Sequence, residues 1–156
     1  MARLGAELGW EVVVTDGRQA YAQPEHFPGA RVLKVSAERA VATAEPDEDS
    51  YALVMTHHYL HDRVLLADLL RSPARYIGVL GPRQRSMDLL QELESAALLP
   101  GEEIASRLFA PAGLDLGAEE PEAIALSLVA EIQAVAAGRS GGWLRDRKGP
   151  IHDPVP

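Results

Sequence analysis

The sequence predicts an α/β protein whose helices cover both faces of a mostly parallel sheet, and three observations carry that expectation. Apolar runs at 10–15, 51–56 and 75–80 are continuous rather than alternating, the pattern of strands buried on both faces. Stretches of helical periodicity follow the later runs, as the crossovers of a parallel sheet require. The chain also opens on a helix that leads directly into a strand. A doubly wound nucleotide fold has a strand and a glycine-rich turn ahead of that helix. The expected architecture is a three-layer, Rossmann-like, mostly parallel sheet lacking the usual first strand and glycine loop.

In chain order, residues 1–8 read as a helix, with Leu4 and Leu8 one turn apart and Gly9 as its C-terminal cap. The run 10–15 is a buried strand that stops at the Asp16-Gly17 turn. Residues 31–35 alternate and form a shorter, more exposed strand, and 45–50 make an acidic connection. The run 51–56 is a second buried strand entering His57-His58, followed by a helix at about 62–71 with Val64, Leu65, Ala67 and Leu69 on its apolar side. The run 75–80 is a third strand, closed by Gly81-Pro82. Pro82 suits the first position of a helix that reaches about Leu98. A short strand at 108–110 precedes Pro111, and a helix over 121–137 is apolar on most sides, so it is buried or covered by a partner chain. From Gly138 onward Gly, Pro and charge dominate. Residues 1–138 are read as one domain and 139–156 as a flexible tail. For the absent first strand three accounts stay open: the sheet tolerates a gap, a partner supplies the strand, or the true start lies upstream of Met1.

Composition narrows the function classes. The 156 residues suit one domain with a sizeable core, and aromatics at 5% leave that core to Leu, Val, Ile and Ala. A net charge of −8 with no basic stripe repels phosphate backbones, so nucleic acid is not expected as a partner. The absence of cysteine excludes disulfides, thiol catalysis and thiolate metal sites. No apolar run approaches the ~20 residues that cross a bilayer, and the first residues lack a signal-peptide pattern. A cytoplasmic protein with no membrane partner is expected.

Ligands of open parallel sheets bind beyond the carboxyl ends of the strands, and four marked spots fall there: 16–18, 56–58, 81–83 and 111–117. Asp16 ends a strand where an acid holds the ribose hydroxyls of NAD, and equally where Asp-Gly simply makes a turn. His57, His58 and His61 invite a metal reading, but no carboxylate at a fitting spacing completes it. Solvated loop histidines are the favoured reading, with His57 facing the pocket as a hydrogen-bond donor and no metal. Arg83 and Arg85 oppose the dipole at a helix start, an arrangement that a bound anion offsets. In Ala-Pro-Ala-Gly-Leu-Asp-Leu-Gly-Ala (110–118), Gly113 and Gly117 bracket Asp115, which suggests positive φ in a tight loop aimed at the helix start in Pro-Glu-Ala-Ile-Ala-Leu-Ser (121–127). Asp115 there binds either backbone amides or a ligand.

These segments resemble the XdhC/CoxI family, the xanthine dehydrogenase accessory factors. The match rests on Val-Met-Thr-His at 54–57, Tyr-Ile-Gly-Val-Leu-Gly at 76–81, Arg83, and above all the 111–118 and 121–127 segments. It spans about residues 1–140 and is similar to the family's C-terminal Rossmann domain. The resemblance implies a maturation factor that binds the molybdenum cofactor (molybdopterin) and helps its sulfuration. Such a factor delivers the cofactor to an apo molybdenum hydroxylase of the xanthine dehydrogenase type, with a sulfurtransferase as a further partner. It also implies ligand-binding roles for His57, Gly81, Arg83, Gly113, Asp115 and Gly117. Departures from the family pattern are the absent N-terminal domain, first strand and glycine turn, His58 in place of an Asp, Pro82 in place of a serine, and Glu120 at a cap position usually held by Thr or Ser.

Three functions remain in view. The first is a binding and delivery protein for the molybdenum cofactor, a chaperone rather than a catalyst. The second is an NAD(P)-dependent oxidoreductase, which rests on Asp16 and needs a phosphate loop. The third is a non-catalytic remnant that forms a homodimer through its incomplete sheet.

Overall fold

The computed structural model describes residues 1–96 and 106–151. Parallel pairing needs strands that share a direction, and the helical crossovers supply it. Helix α1 (Ala2–Glu7) leads into β1 (Val12–Thr15), which pairs in parallel with β2 (Ala30–Leu33) in the register Val12 opposite Ala30. Helix α2 (Ala37–Ala44) then precedes β3 (Tyr51–Val54), α3 (Tyr59–Arg71), β4 (Tyr76–Val79) and α4 (Arg83–Ser95). The short β5 (Leu108–Phe109) and α5 (Pro121–Ala136) complete the fold. β3 pairs in parallel with β4, and β4 with β5.

The strands form two separate parallel sheets rather than one, with the orders β1-β2 and β3-β4-β5. Among the described residues no ladder joins β1 to β3. In a doubly wound sheet a central strand stands between the strands that these two represent, and the break falls at that place. Helices α1 and α5 pack together on one side, while α2, α3 and α4 form the opposite layer. The three-layer expectation holds, with the sheet divided.

The best-packed region lies under α3 and α4. Leu66, Leu70, Ile77, Leu89 and Leu93 are fully buried there with Val54, Leu69, Ala74 and Val79. Each leucine removed from water contributes about 2 kcal/mol. Along β4 the side chains alternate: Ile77 and Val79 enter this core, and Tyr76 points to α5. Gly78 shares the Tyr76 side, where a Cβ would stand 2.5 Å from Leu53 Cδ2 and 2.7 Å from the Tyr76 hydroxyl. Only a glycine admits the tyrosine at that point.

Several element bounds differ from the sequence expectation. Helix α2 falls on residues assigned to no element, because it is short, alanine-rich and buries only Ala40. Helix α3 begins at Tyr59 rather than near 62, with His58 as its N-cap accepting the His61 N–H at 3.4 Å. Pro82 is the N-cap of α4 with ψ 142°, so Arg83 is the first helical residue and Pro82 is not. The expected end of that helix near Leu98, and residues 152–156 of the tail, lie outside the described residues. Residues 138–151 hold one 3-10 turn at Leu144–Asp146, and Gly141 sits against Leu114, 3.0 Å from a would-be Cβ. Among the described residues no helix is long and apolar enough to cross a membrane.

Candidate functional site

Loops leaving the carboxyl ends of parallel strands converge on one edge, and a cavity opens there beyond β4 and β5. Its volume is about 560 Å³, within the range of small-molecule sites. The loop after β4 supplies Leu80 and Gly81, the segment 112–119 forms most of the wall, and Ile124 and Ser127 close it from α5. Gly81, Gly113 and Gly117 take φ of 151°, 111° and 65°, backbone that L side chains rarely adopt. Asp115 is exposed on this wall.

Helix α5 fixes the loop from behind. The Ser127 hydroxyl donates to the Leu114 carbonyl at 2.5 Å, and the Leu114 N–H donates to the Ser127 carbonyl at 3.3 Å. The Gly113 N–H donates to Glu131 Oε1 at 2.8 Å. That same oxygen accepts the Tyr76 hydroxyl at 2.6 Å. Burial, then the Glu131 hydrogen bond, push the Tyr76 phenol well above its ordinary range. Tyr76 also stacks on Phe109 of β5, with ring centroids 4.6 Å apart.

A second assembly joins the ends of β3 and α4. Asp62, 1% exposed in the first turn of α3, accepts the Thr56 hydroxyl at 2.5 Å and pairs with the Arg85 guanidinium. Thr56 in turn accepts the His58 N–H at 3.1 Å. The Arg85 chain also runs beside Gly81, whose would-be Cβ lies 3.7 Å from Arg85 Cδ. The two arginines at the start of α4 therefore differ. Arg85 is engaged by a buried carboxylate, and Arg83 is exposed with no ion pair among the described residues.

The sequence-derived candidates divide accordingly. Gly81, Gly113, Asp115 and Gly117 come together in the cavity lining, and Arg83 opens α4 two residues after Gly81. His57 is exposed beside this edge at φ 58°, a left-handed conformation uncommon for a side-chain-bearing residue. Asp16 sits apart from the cavity at the end of β1. Arg18 donates to its Oδ1 from the backbone at 2.8 Å and from Nε at 3.1 Å, and to Oδ2 from Nη2 at 2.8 Å. These bonds hold the Asp16 carboxyl below its usual range, against a smaller desolvation effect. The Asp16 carboxylate is thus engaged by Arg18, whose side chain is itself largely exposed. The His58 and His61 rings lie 4.1 Å apart. Among the described residues no group of three or more His, Asp or Glu is gathered to hold a metal ion. Glu120 is the N-cap of α5 and makes no side-chain cap bond.

Asp62, Tyr76 and Glu131 escaped the sequence reading as site residues. Asp62 meets Arg85 across 23 positions, Tyr76 meets Glu131 across 55 and Glu131 meets Gly113 across 18, and pairings at such separations give no local signal.

Comparison with known proteins follows the same division of the chain. Residues 1–132 match the family model described as the XdhC Rossmann domain. A Bacillus subtilis (strain 168) protein named as a probable xanthine dehydrogenase subunit is 37% identical over 133 residues, which is 85% of this chain and 38% of that protein. The Escherichia coli K12 protein YqeB, itself uncharacterised, is 32% identical over 146 residues, 92% of this chain and 26% of YqeB. A crystal structure of a xanthine dehydrogenase from Bacillus halodurans superposes with a TM-score of 0.76 at 31% identity, covering 89% of this chain and 39% of that one. The chain thus spans well under half the length of the relatives it matches.

Proposed function

From the fact that the chain belongs to the XdhC Rossmann-domain family, we propose that it serves the maturation of a xanthine dehydrogenase-type molybdenum hydroxylase by binding the molybdenum cofactor. The observation that supports this reading is the cavity beyond β4, because four residues of the family-like motifs, Gly81, Gly113, Asp115 and Gly117, line it together. The names of the B. subtilis and B. halodurans relatives point to the same enzyme system.

The residues present fit such a group. Glycines at positive φ let backbone approach a flat ring closely. The exposed Arg83 guanidinium at the start of α4 suits a phosphate, which the helix dipole also favours. The exposed Asp115 carboxylate suits N–H donors of a pterin edge. When bound, the cofactor brings the molybdenum centre on which the client's hydroxylation depends. This chain's part is to hold and orient it, with sulfuration by a partner sulfurtransferase and delivery to the apo-enzyme as the further steps of the same role. A homodimer through the apolar faces of the divided sheet and α5 belongs to this proposal as its assembly state.

Equilibrium titration of the purified chain with isolated molybdenum cofactor tests the reading. Saturable binding is expected, weakened about tenfold in Arg83→Ala, the loss of one charge-assisted hydrogen bond. No binding by the wild-type chain would remove the proposal. NAD(P) binding lost in Asp16→Ala would favour the dehydrogenase reading instead.

A further inference from the structure

We infer that Glu131 is the positioning residue of the cavity, holding its glycine loop in register with the central strand. The inference rests partly on the functional reading above, since the loop matters through what the cavity binds, but its geometry stands independently.

Ser127 and Glu131 lie four residues apart on one face of α5, so one helix surface presents both to the loop. Between them they engage the Gly113 N–H, the Leu114 N–H and the Leu114 carbonyl. Gly113 is a glycine for the same reason: its φ is 111°, and a Cβ there would stand 2.6 Å from Ser127 Oγ. Glu131 does more than tie a loop to its own helix. Its Oε1 also takes the hydroxyl of Tyr76, a fully buried residue of β4. A continuous path therefore runs from the middle strand through Tyr76 and Glu131 to the peptide at Gly113. Gly78 keeps that path open by leaving space for the tyrosine hydroxyl.

The opposite side of the loop is built differently. Among the described residues, nothing outside the loop hydrogen-bonds the segment 115–119, whose one such bond is the local Leu116 N–H to the Leu114 carbonyl at 2.8 Å. A Cβ at Gly117 would meet nothing within 4 Å. The loop is thus held firmly at 113–114 and left open at 115–119, which line the cavity. Removal of Glu131 leaves the Gly113 N–H and the Tyr76 hydroxyl without their acceptor and frees the anchored end.

Amide hydrogen exchange of the ligand-free chain, read at Gly113 and Leu114, tests the anchor without reference to any ligand. Glu131→Leu is expected to raise exchange at these two amides about tenfold or more, and Glu131→Gln, which keeps an acceptor oxygen, to restore protection. Tyr76→Phe, which keeps the ring packing, is expected to raise exchange at Gly113 by a smaller factor, and it serves if Glu131→Leu does not fold. Titration with molybdenum cofactor should then show affinity falling in the order of loop loosening, with Glu131→Gln near wild type. Unchanged exchange at Gly113 in both Glu131→Leu and Tyr76→Phe would overturn the inference, as would loosened exchange with undiminished affinity. If the wild-type chain binds no cofactor, the functional reading fails, and the exchange result alone decides the anchor.

Discussion

A buried carboxylate decides much about the site edge at the level of single residues. Asp62 is almost fully enclosed, and its two oxygens are taken by Thr56 and Arg85, so the loop after β3, α3 and α4 meet on one side chain. Deleting it leaves the Arg85 guanidinium, a quarter exposed, beside an empty polar pocket. Asp62→Ala is expected to lower stability by roughly 3 kcal/mol in urea denaturation, with Asp62→Asn costing less because the Thr56 hydrogen bond has an acceptor left. Tyr76 makes a pH prediction. Its folded proton is held more tightly than the unfolded one, so its contribution is fully present below the ordinary phenol value near 10 and is lost as pH rises above it. Wild-type stability should therefore fall above about pH 10, and Tyr76→Phe should flatten that part of the curve. Neither residue was legible beforehand. Asp62 finds Arg85 across 23 positions and Tyr76 finds Glu131 across 55, and such pairings exist only after the chain has folded.

Elements show the opposite balance. β1, β3 and β4 were legible because a continuous apolar run has few other stable placements, and Gly113 and Gly117 because a pair of glycines bracketing an acid announces positive φ. Helix α2 was not, since its apolar side is built mostly of alanine over eight residues and buries only Ala40, too little bulk to mark it against the neighbouring loops. Helix termini were placed to within a few residues, and the errors arose where an unexpected cap decides the start, as His58 does for α3. The other end of α3 relies on a distant residue. Arg107, just before β5, donates from Nη1 to the carbonyls of Ser72 at 2.8 Å and Ala74 at 2.6 Å, and from Nη2 to that of Leu70 at 2.9 Å. A cation satisfying carbonyls at a helix C-terminus also complements the dipole. Arg107→Ala is expected to cost about 2 kcal/mol, visible as a lowered Tm, while Arg107→Lys, lacking the fork, recovers only part of it.

For the whole molecule, the governing feature is the division into two parallel sheets, β1-β2 and β3-β4-β5, with no ladder between β1 and β3 among the described residues. The consequence for the site is a division of labour. The cavity belongs to the three-stranded sheet and α5, so it does not depend on pairing across the break. Asp16 belongs to the two-stranded sheet, apart from the cavity, and is engaged locally by Arg18. In a chain of net charge −8, Arg83, two residues after Gly81, is exposed and has no ion pair among the described residues. The most direct test of a cofactor site at this place is a map of amide chemical shifts of the full chain on addition of molybdenum cofactor. The account predicts changes centred on Gly81, Arg83 and residues 112–119, with those of β1 and Asp16 nearly still. Changes centred on Asp16 and the end of β1, or none anywhere, would contradict it.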